Sequence, residues 1–120
     1  MATIAPVFST IGLQDSSLMK FVWTLAGTDD GAPINFAEWA DRSVQFVGTF
    51  TTGSVVFEGS NDGGANYFTL TDAGNVGITK TTNALSQITE CVEKARPRAA
   101  TAVTSVVVTL IVRRAQPLRT

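Results

Sequence analysis

The sequence predicts an all-β protein, a sandwich or barrel of mainly antiparallel strands. Two observations carry that prediction. Between Ser43 and Thr82, four runs of seven or eight residues (SVQFVGTF, SVVFEGS, ANYFTLT, VGITKTT) are separated by the turn clusters TTG, NDGG and DAGN. Near the end, TAVTSVVVTLIVRR (Thr101 to Arg114) is a long run dominated by β-branched residues, which fit a pleated, packed surface. Such spacing of runs and turns is that of sandwich folds in general, and the first four runs read as a strand meander.

The elements follow in order. Residues 1–17 show no helical or strand period over most of their length and read as an extended arm, with a short strand at Val7 to Thr10. Met19 to Ala26 reads as the first core strand, with Phe21 and Trp23 on one face and Val22 and Thr24 on the other. GTDDG is a turn. In the loop APINFAEWADR, Phe36 to Trp39 fits one helical turn whose two aromatics cap the end of the sandwich. Trp39 has a second reading as a ligand platform.

In Ser43 to Phe50, Val44, Phe46 and Phe50 line one face, the alternation of a half-buried antiparallel strand. Thr51-Thr52-Gly53 predicts a short hairpin with positive φ at Gly53. In Ser54 to Ser60, Val55, Phe57 and Gly59 alternate with Ser54, Val56 and Glu58. Asn61 to Gly64 is a strong turn signal, because Asn, Asp and Gly tolerate left-handed backbone. Ala65 to Thr71 sets Tyr67 on one face against Phe68 and Leu70 on the other, Asp72 to Asn75 turns again, and Val76 to Thr82 is a Thr-rich strand.

Ala84 to Lys94 is ambiguous. Leu85, Ile88, Cys91 and Val92 fit a helix, but the all-β context favours a strand. Arg96-Pro97-Arg98 is expected to break it. Thr101 to Arg114 is too continuous for a wet face and is placed centrally with both faces covered. The resulting organisation is an arm over 1–17, one sandwich domain over 18–115 and a tail over 116–120.

Composition narrows function. The chain has 120 residues, 44% of them apolar and 16% charged, where about 25% charged is usual. A low charge fraction predicts apolar surface covered by a partner. Acids dominate between Asp15 and Asp72, whereas five arginines and no acid follow Ala95, a polarity that permits head-to-tail contacts between copies. The net charge of −1 gives no footprint for nucleic acid. Val106 to Val112 is too short to span a bilayer as a helix, and the start lacks a charged n-region and apolar core of a signal peptide, so a soluble protein made in a cytoplasm is expected.

Chemistry is sparse. There is no histidine, which removes the commonest general base and zinc ligand and any Ser-His-Asp triad. Neither G-x-S-x-G nor a phosphate loop occurs. The carboxylates Asp29, Asp30, Glu38, Asp41 and Asp72 fall in or beside turns, and nothing pairs them across a cleft. Asn61 and Asp62 carry oxygens, but the carboxylate spacing of a calcium loop is missing, so GSNDGG reads as a structural turn. The single Cys91 sits in an apolar–polar alternation and is expected to be a buried thiol. No catalytic residue, cofactor or metal is expected.

The stretch SVQFVGTFTTGSVVFEGSNDGGANYFTLTDAGN, followed by ARPRAATAVTSVVVTLIVRR, resembles small structural proteins of tailed bacteriophages, of the capsid decoration (cement) type. The resemblance runs from Ser43 to Arg114. It implies an antiparallel β-sandwich, jelly-roll-like, with an extended N-terminal arm. It also implies a non-enzymatic virion protein on the capsid surface that binds the major capsid protein, often as a homotrimer. On this reading Phe8, Ile11 and Leu13 of the arm, with Arg113, Arg114 and Arg119, make the partner contacts, and removing residues 1–17 leaves a folded domain that no longer binds capsids. The turn at Ser60, Asp62, Gly63 and Tyr67 is also similar to one in discoidin-like, galactose-binding sandwiches. Two alternatives stay open: a carbohydrate- or receptor-binding module of a tail or fibre with Trp39 and Tyr67 as platforms, and a head–tail or tail-tube subunit.

Overall fold

The structure, a computed structural model, describes residues 2–10 and 18–114. Ile11, Leu13, Arg119 and the tail over 116–120 lie outside the described residues. Twelve strands form: β1 (Thr3–Ile4), β2 (Val7–Thr10), β3 (Leu18–Gly27), β4 (Asp30–Gly31), β5 (Ile34–Asn35), β6 (Trp39–Thr49), β7 (Ser54–Ser60), β8 (Phe68–Thr69), β9 (Thr79–Lys80), β10 (Ala84–Gln87), β11 (Lys94–Thr101) and β12 (Val103–Arg114). They build two facing sheets. One runs β10-β6-β12-β3-β2, and the other β1-β4-β11-β7-β8 with β5 on β11 and β9 on β7. Among the described residues only β1 with β4 is a parallel pair.

The predicted meander is not the observed pairing. The runs Ser43–Phe50 and Ser54–Ser60 do not form a hairpin; they lie in opposite sheets. β6 pairs with β12 and β7 with β11. Thr49 faces Ser105 before the crossing, and Val55 faces Ala99 six residues further along both strands. Register is therefore kept through the crossing, and the framework is one long two-stranded ribbon folded over a corner. Bulges flank the corner on the second strand, between Ala99 and Thr101 and between Val103 and Val106, and bulges are how strands bend.

The corner chemistry also differs from expectation. The left-handed residue is Thr51, with φ of 58°, while Gly53 serves a close approach. A Cβ on Gly53 would lie 2.1 Å from the Ala102 carbonyl oxygen. The Thr51 and Thr104 hydroxyls are 2.7 Å apart, and the Ser54 hydroxyl donates to that of Thr101 at 3.3 Å, so the two strands are tied together as they turn.

The core lies between the sheets. Phe21, Trp23 and Leu25 of β3, Val44 and Phe46 of β6, Val55 and Phe57 of β7, and Val106, Val108, Leu110 and Val112 of β12 all point inward, as the alternation predicts. Each tryptophan N–H is satisfied: Trp23 donates to the Ala32 carbonyl (3.0 Å) and Trp39 to that of Asn35 (3.2 Å), as buried indoles require. The predicted turn at Phe36–Trp39 is one hydrogen-bonded turn, Trp39 N–H to Phe36 carbonyl at 3.2 Å. Both aromatics are buried.

Four further expectations are corrected. β12 is central in its sheet, but only its even-numbered side is covered; Val107, Thr109 and Ile111 are half-buried on an outer face that nothing crosses among the described residues. Arg96-Pro97-Arg98 does not break a strand but lies within β11. Ala99 N–H donates to the Asp29 carbonyl, and Pro97, two residues earlier, faces the same way. Its missing N–H falls in the gap between β5 and β4, against Gly31, so the ladder to β7 is intact.

Between Ala84 and the start of β11 at Lys94 only the four residues of β10 are strand, followed by an irregular stretch in which Ile88 enters the core and Cys91 is exposed. The third and fourth runs of the supposed meander yield only β8 and β9, because Asp62 and Asp72 side chains capture nearby backbone N–H groups that would otherwise serve a ladder.

Residues 2–10 lie along the sandwich. The strand expected at Val7–Thr10 is β2, on the edge of the five-stranded sheet, while β1 adds to the other sheet. The N-terminal segment thus bridges both layers.

Candidate functional site

The outer face of the five-stranded sheet is built by cross-strand rows. Thr109 of β12 lies between Val22 and Gln45; Val7 flanks Val22, and Leu85 flanks Gln45. In the next row Val107 lies between Thr24 and Val47. Val7 (73% exposed), Val47 (42%) and Leu85 (68%) are open to solvent. Apolar and hydroxyl side chains alternate over the face, and charge gathers at one end. There Arg113 pairs with Asp41, its Nε 2.9 Å from Oδ2. A depression of about 420 Å³ beside them is lined by Leu18, Ser43, Gln87 and Ile111.

The structure brings some of the expected contact residues together. Phe8 stands exposed over Phe21 at 6.1 Å, Phe21 meets Trp39 at 6.3 Å, and the Arg114 guanidinium lies 5.1 Å from the Trp39 ring. Phe8 and Arg114 are therefore joined through two core aromatics at one end. Arg114 also sits 3.6 Å from Glu38. Arg113 belongs to the outer sheet face instead. Trp39 is buried, and Tyr67 is half-buried with the Arg96 guanidinium 3.9 Å over its ring, so neither ring is an open stacking platform.

Two charged groups escaped the sequence reading. Arg42, on β6, turns inward and is 8% exposed. Its guanidinium donates to the carbonyls of Trp39 (3.2 Å) and Thr89 (3.4 Å) and lies 4.8 Å from the Phe36 ring. Glu58, 3% exposed, lies on the outer face of β7 between Arg96 (Nε–Oε2 2.8 Å) and Arg98 (3.1 Å). Arg96 reaches Asp30 as well, at 3.7 Å. Burial raises the Tyr67 pKa above its ordinary value, with Arg96 opposing and Glu58 adding to the rise. A lone Glu in alternation with Val56 gave no signal that loop residues would cover it.

A cleft of about 360 Å³ opens where β7 and β8 meet the 88–93 stretch. Its wall is the GSNDGGAN loop. The Ser60 hydroxyl donates to Asp62 Oδ1 (2.6 Å) and accepts from the N–H groups of Asp62 and Gly64. Asp62 also accepts from the Asn66 backbone (2.9 Å) and side-chain amide (2.7 Å). These bonds, that of Ser60 foremost, hold its carboxyl at about 2. They confirm a structural turn here. Asn61 accepts from Glu93 N–H (2.9 Å) while Glu93 accepts from Gly63 N–H (2.7 Å). Across the cleft, Glu90 accepts from the Thr71 backbone and hydroxyl. Burial acts to raise its pKa, but the Thr71 bonds and the Arg42 charge outweigh it and hold it below the ordinary carboxylate value. Phe68, 73% exposed, stands at the rim.

Among the described residues, no three His, Cys, Asp or Glu side chains converge as a metal set. No protein-family model matches the chain, and no curated protein matches it by sequence. Solved structures share the fold. The chain is similar to the SPBc2 prophage-derived protein YomS, with a TM-score of 0.63 and 16% identity over 84% of this chain and 98% of that one. It is also similar to a cupin domain from Bordetella pertussis Tohama I, with a TM-score of 0.50 and 12% identity over 95% and 96% of the two chains. The fold is accordingly a mainly antiparallel, jelly-roll-like β-sandwich.

Proposed function

We propose that this chain is a non-enzymatic structural protein of a bacteriophage particle that decorates and stabilises the capsid through protein–protein contacts. The observation that carries the reading is the outer face of the five-stranded sheet. It sets Val7, Val22, Val47, Val107, Ile111 and Leu85 across five strands with no covering layer among the described residues. Exposed apolar side chains interleaved with hydroxyl and amide groups across a sheet face suit a protein–protein interface, which is about as polar as other surface. The space between the sheets, meanwhile, is filled by Trp23, Phe36, Phe46, Phe57 and Ile78.

The resemblance of Ser43 to Arg114 to tailed-phage decoration proteins supports the same reading, and so does the shared fold with a prophage-derived protein. The partner is the major capsid protein, with a homotrimer as the decorating unit. Phe8 and Arg114 at one end, and Arg113 beside the outer face, lie where such a unit meets the lattice.

Cryo-electron microscopy of particles carrying the protein tests this. Density on the icosahedral shell at lattice symmetry axes is the expected result. Density confined to the tail, or none on the particle, overturns it.

A further inference from the structure

The cleft beside Phe68 combines three features that a protein–protein sheet face does not need. An aromatic ring stands 73% exposed over a short apolar floor of Leu70 and Val92. Around it Asn61, Asp62, Asn66, Thr69 and Glu90 supply amide, hydroxyl and carboxylate groups from three chain segments. These groups are fixed beforehand, Asp62 by Ser60 and Asn66, Asn61 by Glu93, and Glu90 by Thr71. The Nδ2 group of Asn61 and the Oδ1 of Asn66 take no part in those bonds, and Asp62 Oδ2 and both Glu90 oxygens each accept one bond and keep a lone pair.

We propose that this cleft is a binding site for a neutral saccharide, with Phe68 stacking on the C–H face of a sugar ring and the amides and carboxylates engaging its hydroxyls. A pyranose has that amphipathic shape: an apolar face bordered by donors and acceptors at fixed angles. The volume of about 360 Å³ is within the range of small-ligand sites and suits one or two rings. Preorganised polar groups spare the ordering cost of binding. Two carboxylates in the wall select against sulfated or carboxylated sugars, since like charges brought together oppose binding.

The proposal goes beyond the capsid reading and shares no residue with the sheet face, so V47D, which strikes that face, leaves the cleft intact. The full chain is mixed with glucose-, galactose- and N-acetylglucosamine-based oligosaccharides, with a heparin tetrasaccharide as the anionic counter-probe, and saturation-transfer NMR is recorded. Transfer to ring protons of a neutral oligosaccharide is expected. F68A should weaken that binding about ten-fold, F68W should retain it, and the heparin fragment should show no transfer. Transfer to no neutral sugar at up to about 10 mM, binding unchanged in F68A, or tighter binding of heparin would each overturn the assignment.

Discussion

Arg96 and Glu58 occupy directly opposed positions on β11 and β7, and Arg96 Nε lies 2.8 Å from Glu58 Oε2. The carboxylate is nearly closed off from water while Arg96 is one-fifth exposed and Arg98 more so. Tyr67 lies under the Arg96 guanidinium, so the pair is locked on the outside of the sheet rather than in the core.

Truncating the acid should therefore harm more than truncating one base. Glu58→Ala takes the shared acid from Arg96 and Arg98, leaving Arg96 only the longer contact to Asp30 at 3.7 Å, and should cost about 2–3 kcal/mol. Arg98→Ala leaves Glu58 still paired and should cost about 1 kcal/mol or less. Urea denaturation of both variants gives the comparison, and equal midpoints would show that the network contributes little.

The corner makes a sharper demand. Gly53→Ala drives a methyl group into the Ala102 carbonyl and should destabilise by about 2–3 kcal/mol. Gly63→Ala, at φ of 74° with open space around it, should cost only about 1 kcal/mol. Thermal melts of the two variants separate steric from conformational penalties.

The loop bearing Asp62 should resist acid. Its carboxyl is held at about 2 rather than 3.8, chiefly by the Ser60 hydroxyl. A folded-state pKa below the unfolded one means that stabilisation is complete above about pH 4 and fades as pH falls through about 2. NMR titration of the Asp62 side chain should show it ionised at pH 3. A midpoint near 3.8 would mean that the Ser60–Asn66 cradle does not form in solution.

Val47→Asp places a charge on the open sheet face at a position that is already 42% exposed. Folding stability should change by no more than about 0.5 kcal/mol, whereas association with particles should be lost. Unchanged particle binding would remove this face from the interface.

Deleting residues 1–17 should do more than remove an arm. β2 covers the β3 edge, and Phe8 shields Phe21, so the truncated chain should melt several degrees lower and show greater exposure of Phe21 to solvent. An unchanged melt would mean that the segment is energetically idle.

Strand character was legible from residues, but partners were not. Phe21, Trp23, Val44 and Phe46 face inward because alternation is a local property of the pleat. Thr51-Thr52-Gly53 has hairpin composition, yet a corner between sheets uses the same small and hydroxyl residues, and only the distant Ala102 decides between them. Pro97 reads as a breaker until Gly31, far away in sequence, is known to leave room for its ring. Cys91 follows an alternation that ends when Glu90 turns to bond Thr71. In the site, alternation puts Phe68 on a face shared with Leu70. That shared face holds, since Phe68 lies opposite Gly59 and Leu70 bonds to Phe57, but alternation does not say how far the core extends along it: Leu70 is buried while Phe68 is open.

The folded ribbon also sets the order in which the molecule can be made. Residues 39–60 find their longest pairings in residues 94–114, so the middle of the chain leaves the ribosome with its main pairings still unsynthesised. Such non-local closure is slow relative to hairpin formation, and the core closes after translation of β12. Until then the apolar faces of β6 and β7 are open to neighbouring chains. A cell producing many copies at once should therefore lose material to aggregation during synthesis, even though the finished sandwich is tightly packed.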